Sequence, residues 1–166
     1  MIYASHGVPE SISYSWSDNP TGPWEWKGVI MKNGQRGATF TNHSGVIDFK
    51  GRSFFFYHDQ KLPGGGGFAR SSSVEEFTYN PDGSIPTIHM TSLGVVNPIH
   101  YLDPFKRVEA ETKAFSYGLE AGKNNNGIYI TKIHNNDYIK VRCVDFGELG
   151  ADIFTASVSS RTEASI

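Results

Sequence analysis

Along this chain, short apolar runs alternate with clusters of Gly, Pro, Asn and Asp, and the breaks recur about every 8 to 12 residues. The pattern has a period of two, not 3.6, so it predicts strands. The strongest run lies between Asn42 and Asp59. Val46, Ile47 and Phe49 form one apolar segment and Phe54 to Tyr57 the next, with Lys50-Gly51-Arg52 between them. Gly51 can adopt the positive φ that a tight hairpin turn needs. Such a hairpin brings its outer ends together, so Asn42 and His43 should meet His58 and Asp59. On chemistry alone the two histidines are equally readable as surface or structural groups and as a site.

The remaining runs follow the same pattern. Strands are expected at Met1 to Ala4, Ser11 to Ser17, Trp24 to Ile30, Phe68 to Val74, Glu76 to Tyr79 and Ile85 to Met90. Turns are expected at Asp18 to Pro23, Asn33-Gly34, Arg36-Gly37 and Asn80-Pro81-Asp82-Gly83. Leu93 to Arg107 is irregular, with Asn97-Pro98 and Asp103-Pro104, and a domain boundary is placed at Pro104 to Arg107. Strands are again expected at Val108 to Glu111, Ile128 to Ile130, Asp137 to Val144 and Ile153 to Val158, with turns at Asn124 to Gly127 and Gly147 to Gly150. Both chain ends read as strands cut from a longer protein, because a strand at a raw terminus leaves its edge unpaired.

Composition supports an all-β class: 166 residues carry 18 Gly, 8 Pro and 13% aromatics. The net charge of -2 offers no electrostatic case for nucleic acid or an anionic membrane. No apolar run approaches the roughly 20 residues of a membrane span. The lone Cys143 permits no intrachain disulfide and is expected as a buried strand residue. Met1 to Ala4 lacks the basic start and apolar core of a signal peptide. Either the protein is intracellular or its true N-terminus lies upstream, and the second is favoured here. Gly64 to Gly67 lacks the Lys-Ser/Thr and helix of a nucleotide loop, and reads as a loop at a site rim. Asp18 and Asp82 read as turn formers, and Asp48 faces solvent.

Two neighbouring sets of motifs match known families. Tyr3-Ala4-Ser5, Gly7-Val8-Pro9-Glu10-Ser11-Ile12, Ser17 to Trp24, Thr41-Asn42-His43, Phe54 to His58 and Tyr79 to Gly83 resemble the C-terminal part of glycoside hydrolase family 43, arabinofuranosidase and xylosidase type. Val108-Glu109-Ala110-Glu111, Asn136 to Val141 and Val144 to Gly147 resemble the first half of carbohydrate-binding module family 6. The resemblance implies C-terminal blades of a five-bladed β-propeller over 1–103, then a partial β-sandwich (jelly roll) over 104–166. Five four-stranded blades need far more chain than this, so only about the last two are expected.

The resemblance implies a fragment of a secreted, monomeric enzyme that cleaves arabinofuranosyl or xylosyl linkages in arabinoxylan by inversion. The alternative is a non-catalytic carbohydrate-binding protein. Inversion needs one carboxylate as base on water and one carboxylic acid on the leaving oxygen. The resemblance places both upstream of residue 1, leaving Glu10 as the one weak catalytic candidate. It puts His43 and Arg70 at the sugar, with a possible ion near His43, and His6 and Val8 along the subsite. His58 is expected to fix structure. Glu109 and Glu111 match a pair of glutamates that ligate structural calcium, and alternation would put both on one strand face.

Overall fold

The computed structural model describes residues 1–5, 7–32, 41–61 and 65–160. His6 and the expected turns at 33–34 and 36–37 lie outside the described residues, as does part of the loop at 61–67. The described residues contain strands and no helix, so no helix is long and apolar enough to cross a membrane.

The first half consists of two antiparallel three-stranded meanders. One is β1 (Ile2–Ser5), β2 (Ser11–Trp16) and β3 (Glu25–Met31); the other is β4 (Gly45–Phe49), β5 (Arg52–Asp59) and β6 (Ser71–Phe77). As the middle strand of its sheet, β2 buries both faces. Ile12 and Tyr14 face the core, while Ser13 and Ser15 fill the other side, which only small side chains suit. The Ser15 hydroxyl meets the Tyr3 phenol at 3.1 Å, so that face is satisfied as well as small.

In the second sheet the hairpin forms as expected. Lys50 and Gly51 close β4 onto β5 with φ of 51° and 74°, the pair of positive values a two-residue turn of this hand requires. Alternation along β5 sends Phe55 and Tyr57 into a core shared with Ile12, Tyr14, Ile30 and Met31 of the first sheet. On the other face Phe54 lies under the Arg52 guanidinium, 5.2 Å from its ring centre. Arg52 also forms a fork to Glu76 and donates to the Asn97 carbonyl at 2.8 Å, which ties the following segment to the sheet.

Several expected strands do not form. Ile85 to Met90 is irregular: Pro86 has no N–H to give a ladder. The segment still packs, because Ile88 and Met90 are buried and the Ile88 N–H donates to the Ile30 carbonyl at 2.6 Å. The strand expected from Glu76 to Tyr79 ends at Phe77.

The second half differs more. Val108 to Glu111 is no strand: Ala110 and Glu111 turn, and the Thr112 N–H closes onto the Glu109 carbonyl at 2.9 Å. Here β7 (Phe115–Tyr117) pairs with β10 (Tyr138–Lys140), and β8 (Glu120–Asn124) with β9 (Gly127–Thr131). The run expected to Val144 stops at Lys140, and Cys143, at φ 55°, is half-buried outside any strand. Leu102 and Val144 form an isolated parallel bridge. Ile153 to Val158 forms no strand and is exposed. Every buried hydrophobic side chain among the described residues lies between Ile12 and Met90, so 104–160 has no core of its own there.

Candidate functional site

The open end of the β4–β5 hairpin gathers the site. The segment before β4 carries Thr41, Asn42 and His43; the end of β5 carries His58 and Asp59. Strand pairing of β5 with β6 sets Ser72 opposite His58 and Ser71 opposite Asp59, and Arg70 immediately precedes β6. His43, His58, Arg70, Ser71 and Ser72 line an open cleft of about 360 Å³.

The histidine rings stack with centres 5.8 Å apart and planes at 29°. His58 Nε2 lies 2.8 Å from the Thr41 carbonyl, so it carries the proton and donates there. Arg70 Nη1 donates to Thr41 Oγ1 at 3.3 Å. Thr41 is thus the hub that positions both the His58 imidazole and the Arg70 guanidinium. Burial holds the His58 imidazole below the ordinary histidine range, helped by repulsion from Arg70 and His43; the Thr41 carbonyl and Asp59 oppose this. Asp59 is buried and already satisfied. It accepts from Ser73 Oγ and the Lys61 N–H, both at 3.1 Å, with the Lys61 ammonium 3.8 Å away.

A second open cleft of about 400 Å³ is lined by Ala4, Ser5, Gly7, Val8 and Glu10. The two clefts share a tie: Glu10 Oε2 accepts the Asn42 backbone N–H at 2.9 Å. Asn42 itself is 1% exposed, and among the described residues its Oδ1 has no hydrogen-bond partner. Glu10 therefore anchors the His43 segment to the first sheet. Its other oxygen, Oε1, takes no part in this tie. No second carboxylate lines either cleft among the described residues, so the pair that acid–base hydrolysis requires is not assembled there.

The structure thus brings His43, His58 and Arg70 together, with Val8 in the neighbouring cleft at 83% exposed. Ser71, Ser72 and Thr41 are site members that sequence reasoning missed. The two serines are placed by the β5–β6 register, which pairs residues 12 or more positions apart and is not readable from local pattern. Glu109 and Glu111 are not joined in a cage. Glu109 is exposed and bound by Arg107 at 2.9 Å, and that guanidinium holds its carboxyl below the usual range. Among the described residues no group of three or more His, Cys, Asp or Glu side chains is arranged to hold a metal ion. The residues present do not fit a calcium site, which needs six to eight oxygens.

No family model matches the chain. It is 34% identical over 167 aligned residues to an arabinoxylan arabinofuranohydrolase of Paenibacillus polymyxa, and 36% identical over 166 to one of Bacillus subtilis. These alignments take in 93% and 92% of the chain. The crystal structure of a glycoside hydrolase family 43 arabinoxylan arabinofuranohydrolase from Bacillus subtilis, in complex with cellotetraose, superposes with a TM-score of 0.71 at 32% identity over 90% of the chain. Over most of its length the chain is homologous to the family 43 arabinoxylan arabinofuranohydrolases. It spans 26% and 32% of the length of the two homologous enzymes, and 35% of the solved one. The homology runs across both halves, including the stretch after Arg107 that lacks a core of its own.

Proposed function

We propose that this chain carries the sugar-binding rim of a secreted, monomeric glycoside hydrolase that acts on arabinoxylan by inversion. In this reading the two meanders are C-terminal blades of a five-bladed propeller, and residues from 104 onward belong to a family 6 carbohydrate-binding sandwich. The reading is carried by one observation: the cleft that gathers His43, His58 and Arg70 lies in a chain homologous over nine-tenths of its length to arabinoxylan arabinofuranohydrolases.

The cleft residues suit a sugar. The Arg70 guanidinium presents several fixed donors, Ser71 and Ser72 offer hydroxyls that donate or accept, and a neutral imidazole does both. None of them transfers a glycosyl group. Inversion needs an acid and a base roughly 6.5–9.5 Å apart, with water between. Glu10 lacks such a partner and is held by Asn42, so the reacting carboxylates are assigned to the part of the enzyme outside this chain. That same observation favours a second reading, a carbohydrate-binding protein without hydrolysis.

Two measurements test this. Calorimetric titration of the chain with an arabinoxylo-oligosaccharide should give binding that Arg70→Gln weakens about tenfold, the loss of one charge-assisted hydrogen bond. Nitrophenyl arabinofuranoside and xyloside should not be turned over by the chain alone. Turnover abolished by Glu10→Gln overturns the placement of the acid; no oligosaccharide binding by the unmodified chain overturns the proposal. Hydrolysis by the full-length enzyme separates the first reading from the second.

A further inference from the structure

Four contacts converge on three consecutive residues ahead of β4, and they come from both sheets. The Thr41 carbonyl accepts from His58 Nε2 at 2.8 Å, and Thr41 Oγ1 accepts from Arg70 Nη1 at 3.3 Å. The His43 ring stacks on His58. These three hold the segment to its own sheet. The fourth crosses to the first sheet: the Asn42 N–H donates to Glu10 Oε2 at 2.9 Å, 32 positions away in the chain. A carboxylate accepting a backbone N–H makes one of the stronger kinds of hydrogen bond. Here Asn42 is buried and Glu10 half-buried, so water competes little for either group. Both partners lie within the described residues, and the bond between them needs no other part of the enzyme.

Glu10 also lines the second cleft, with Ala4, Ser5, Gly7 and Val8, while His43 lines the first. One hydrogen bond and one peptide unit therefore separate the walls of the two clefts. From this juxtaposition we propose that Glu10 is a positioning residue that joins the clefts into one site with two adjacent subsites. The ligand is then an oligosaccharide of at least two residues, held at both ends. The inference rests on the sugar-binding reading above and sets the length of its ligand. A carboxylate has about four acceptor positions, and the tie to Asn42 takes one of them. The same side chain can thus accept a sugar hydroxyl in the second cleft while it holds the wall of the first. At the other end, Arg70, Ser71 and Ser72 meet the next ring. At about 360 and 400 Å³, each cleft is of a size for one sugar ring. Once one ring is bound, the second binds as part of the same molecule, at a high effective concentration, provided the two subsites keep their spacing. Glu10 fixes that spacing. Without its carboxylate, residues 41–43 keep their ties to His58 and Arg70 but lose this tie to the first sheet.

The test follows two sets of NMR signals in the 166-residue chain: the Val8 methyls for the second cleft, and the His43 and His58 rings for the first. A neutral arabinoxylo-oligosaccharide should move both sets with one shared midpoint, at least about tenfold below the midpoints for D-xylose and L-arabinose. Glu10→Ala should shrink that advantage of the oligosaccharide over the single sugars to about threefold or less. Glu10→Gln, which keeps an acceptor oxygen for Asn42, should retain most of it. A variant that only unfolds part of the population weakens single sugars and oligosaccharide alike and leaves their ratio unchanged, so the ratio separates positioning from mere loss of stability. If Glu10→Ala does not fold, the shared midpoint in the unmodified chain decides. Two different midpoints for the oligosaccharide, or a ratio that Glu10→Ala leaves intact, overturn this inference and leave the sugar-binding reading standing. Oligosaccharide that moves neither set overturns that reading and this inference with it.

Discussion

Glu75 offers the sharpest test of how the sheet bearing the site is held. It lies on β6 opposite Phe55 and is 5% exposed. One oxygen accepts the Tyr57 phenol at 2.9 Å and the Thr91 N–H at 2.6 Å; the other accepts Thr91 Oγ1 at 3.0 Å. Thr91 Oγ1 in turn accepts the Gly94 N–H at 2.8 Å. This carboxylate joins two strands to the segment that leaves the second sheet. Glu75→Ala strips three charge-assisted bonds, gross about 1.5–3 kcal/mol each. Removing the carboxylate also lifts its desolvation cost, so the net loss should be about 3–5 kcal/mol, the cost of leaving the Tyr57 hydroxyl and the Thr91 N–H without acceptors at about 1–3 kcal/mol each. With a urea slope of about 1–3 kcal/mol/M, the midpoint should fall by roughly 2 M. Glu75→Gln, which keeps an acceptor in place, should lose much less.

Urea unfolding followed by tryptophan fluorescence provides the assay, with a double-mutant cycle as control. Glu75→Ala orphans the Tyr57 hydroxyl, so Tyr57→Phe should cost about 1 kcal/mol in the parent chain and be neutral or stabilising in the Glu75→Ala background. A loss below about 1 kcal/mol for Glu75→Ala, or an equal Tyr57→Phe cost in both backgrounds, would refute this reasoning.

Two further predictions concern charge and backbone. The His58 imidazole is held below its ordinary range, so the unfolded chain takes up a proton first as pH falls below about 6.5. Stability should therefore decline below that pH down to the folded-state value, and the urea midpoints at pH 7.5 and 5 should differ less in His58→Gln. At Gly118 φ is 72°, and an added Cβ would overlap the Asp137 carboxylate, which caps the His134 N–H at 2.7 Å. Gly118→Ala should cost at least about 1 kcal/mol and speed hydrogen exchange in β7 and β10, with β4–β6 unchanged.

The hairpin from Gly45 to Asp59 was legible because each cue in it is local. Aromatic and β-branched runs set the strands, Lys50-Gly51 sets the turn, and geometry then brings His43 to His58. Asn42 looked like one more polar bracket, but is a buried peg held through its backbone by Glu10, 32 residues away. Ser71 and Ser72 carry no chemistry that marks them; they join the site only because β6 pairs with the end of β5. Pro86 was a readable warning against a strand at Ile85 to Met90. In the second half, β-propensity overstated order. Tyr138 to Val144 has the right residue types, yet positive φ at Cys143 and the lack of a buried partner face end the strand early. Conversely β8, Glu120-Ala-Gly-Lys-Asn, has almost no strand-favouring residues and forms by pairing with β9.

The central claim is that the end of the second sheet where His43, His58 and Arg70 meet is a sugar-binding rim. The most direct measurement is a histidine-selective NMR titration with a neutral arabinoxylo-oligosaccharide. The account predicts that the His43 and His58 ring signals move together and saturate, while His89, His100 and His134 stay fixed. Stationary His43 and His58 signals at saturating oligosaccharide, or equal drift across all six histidine rings, would contradict it.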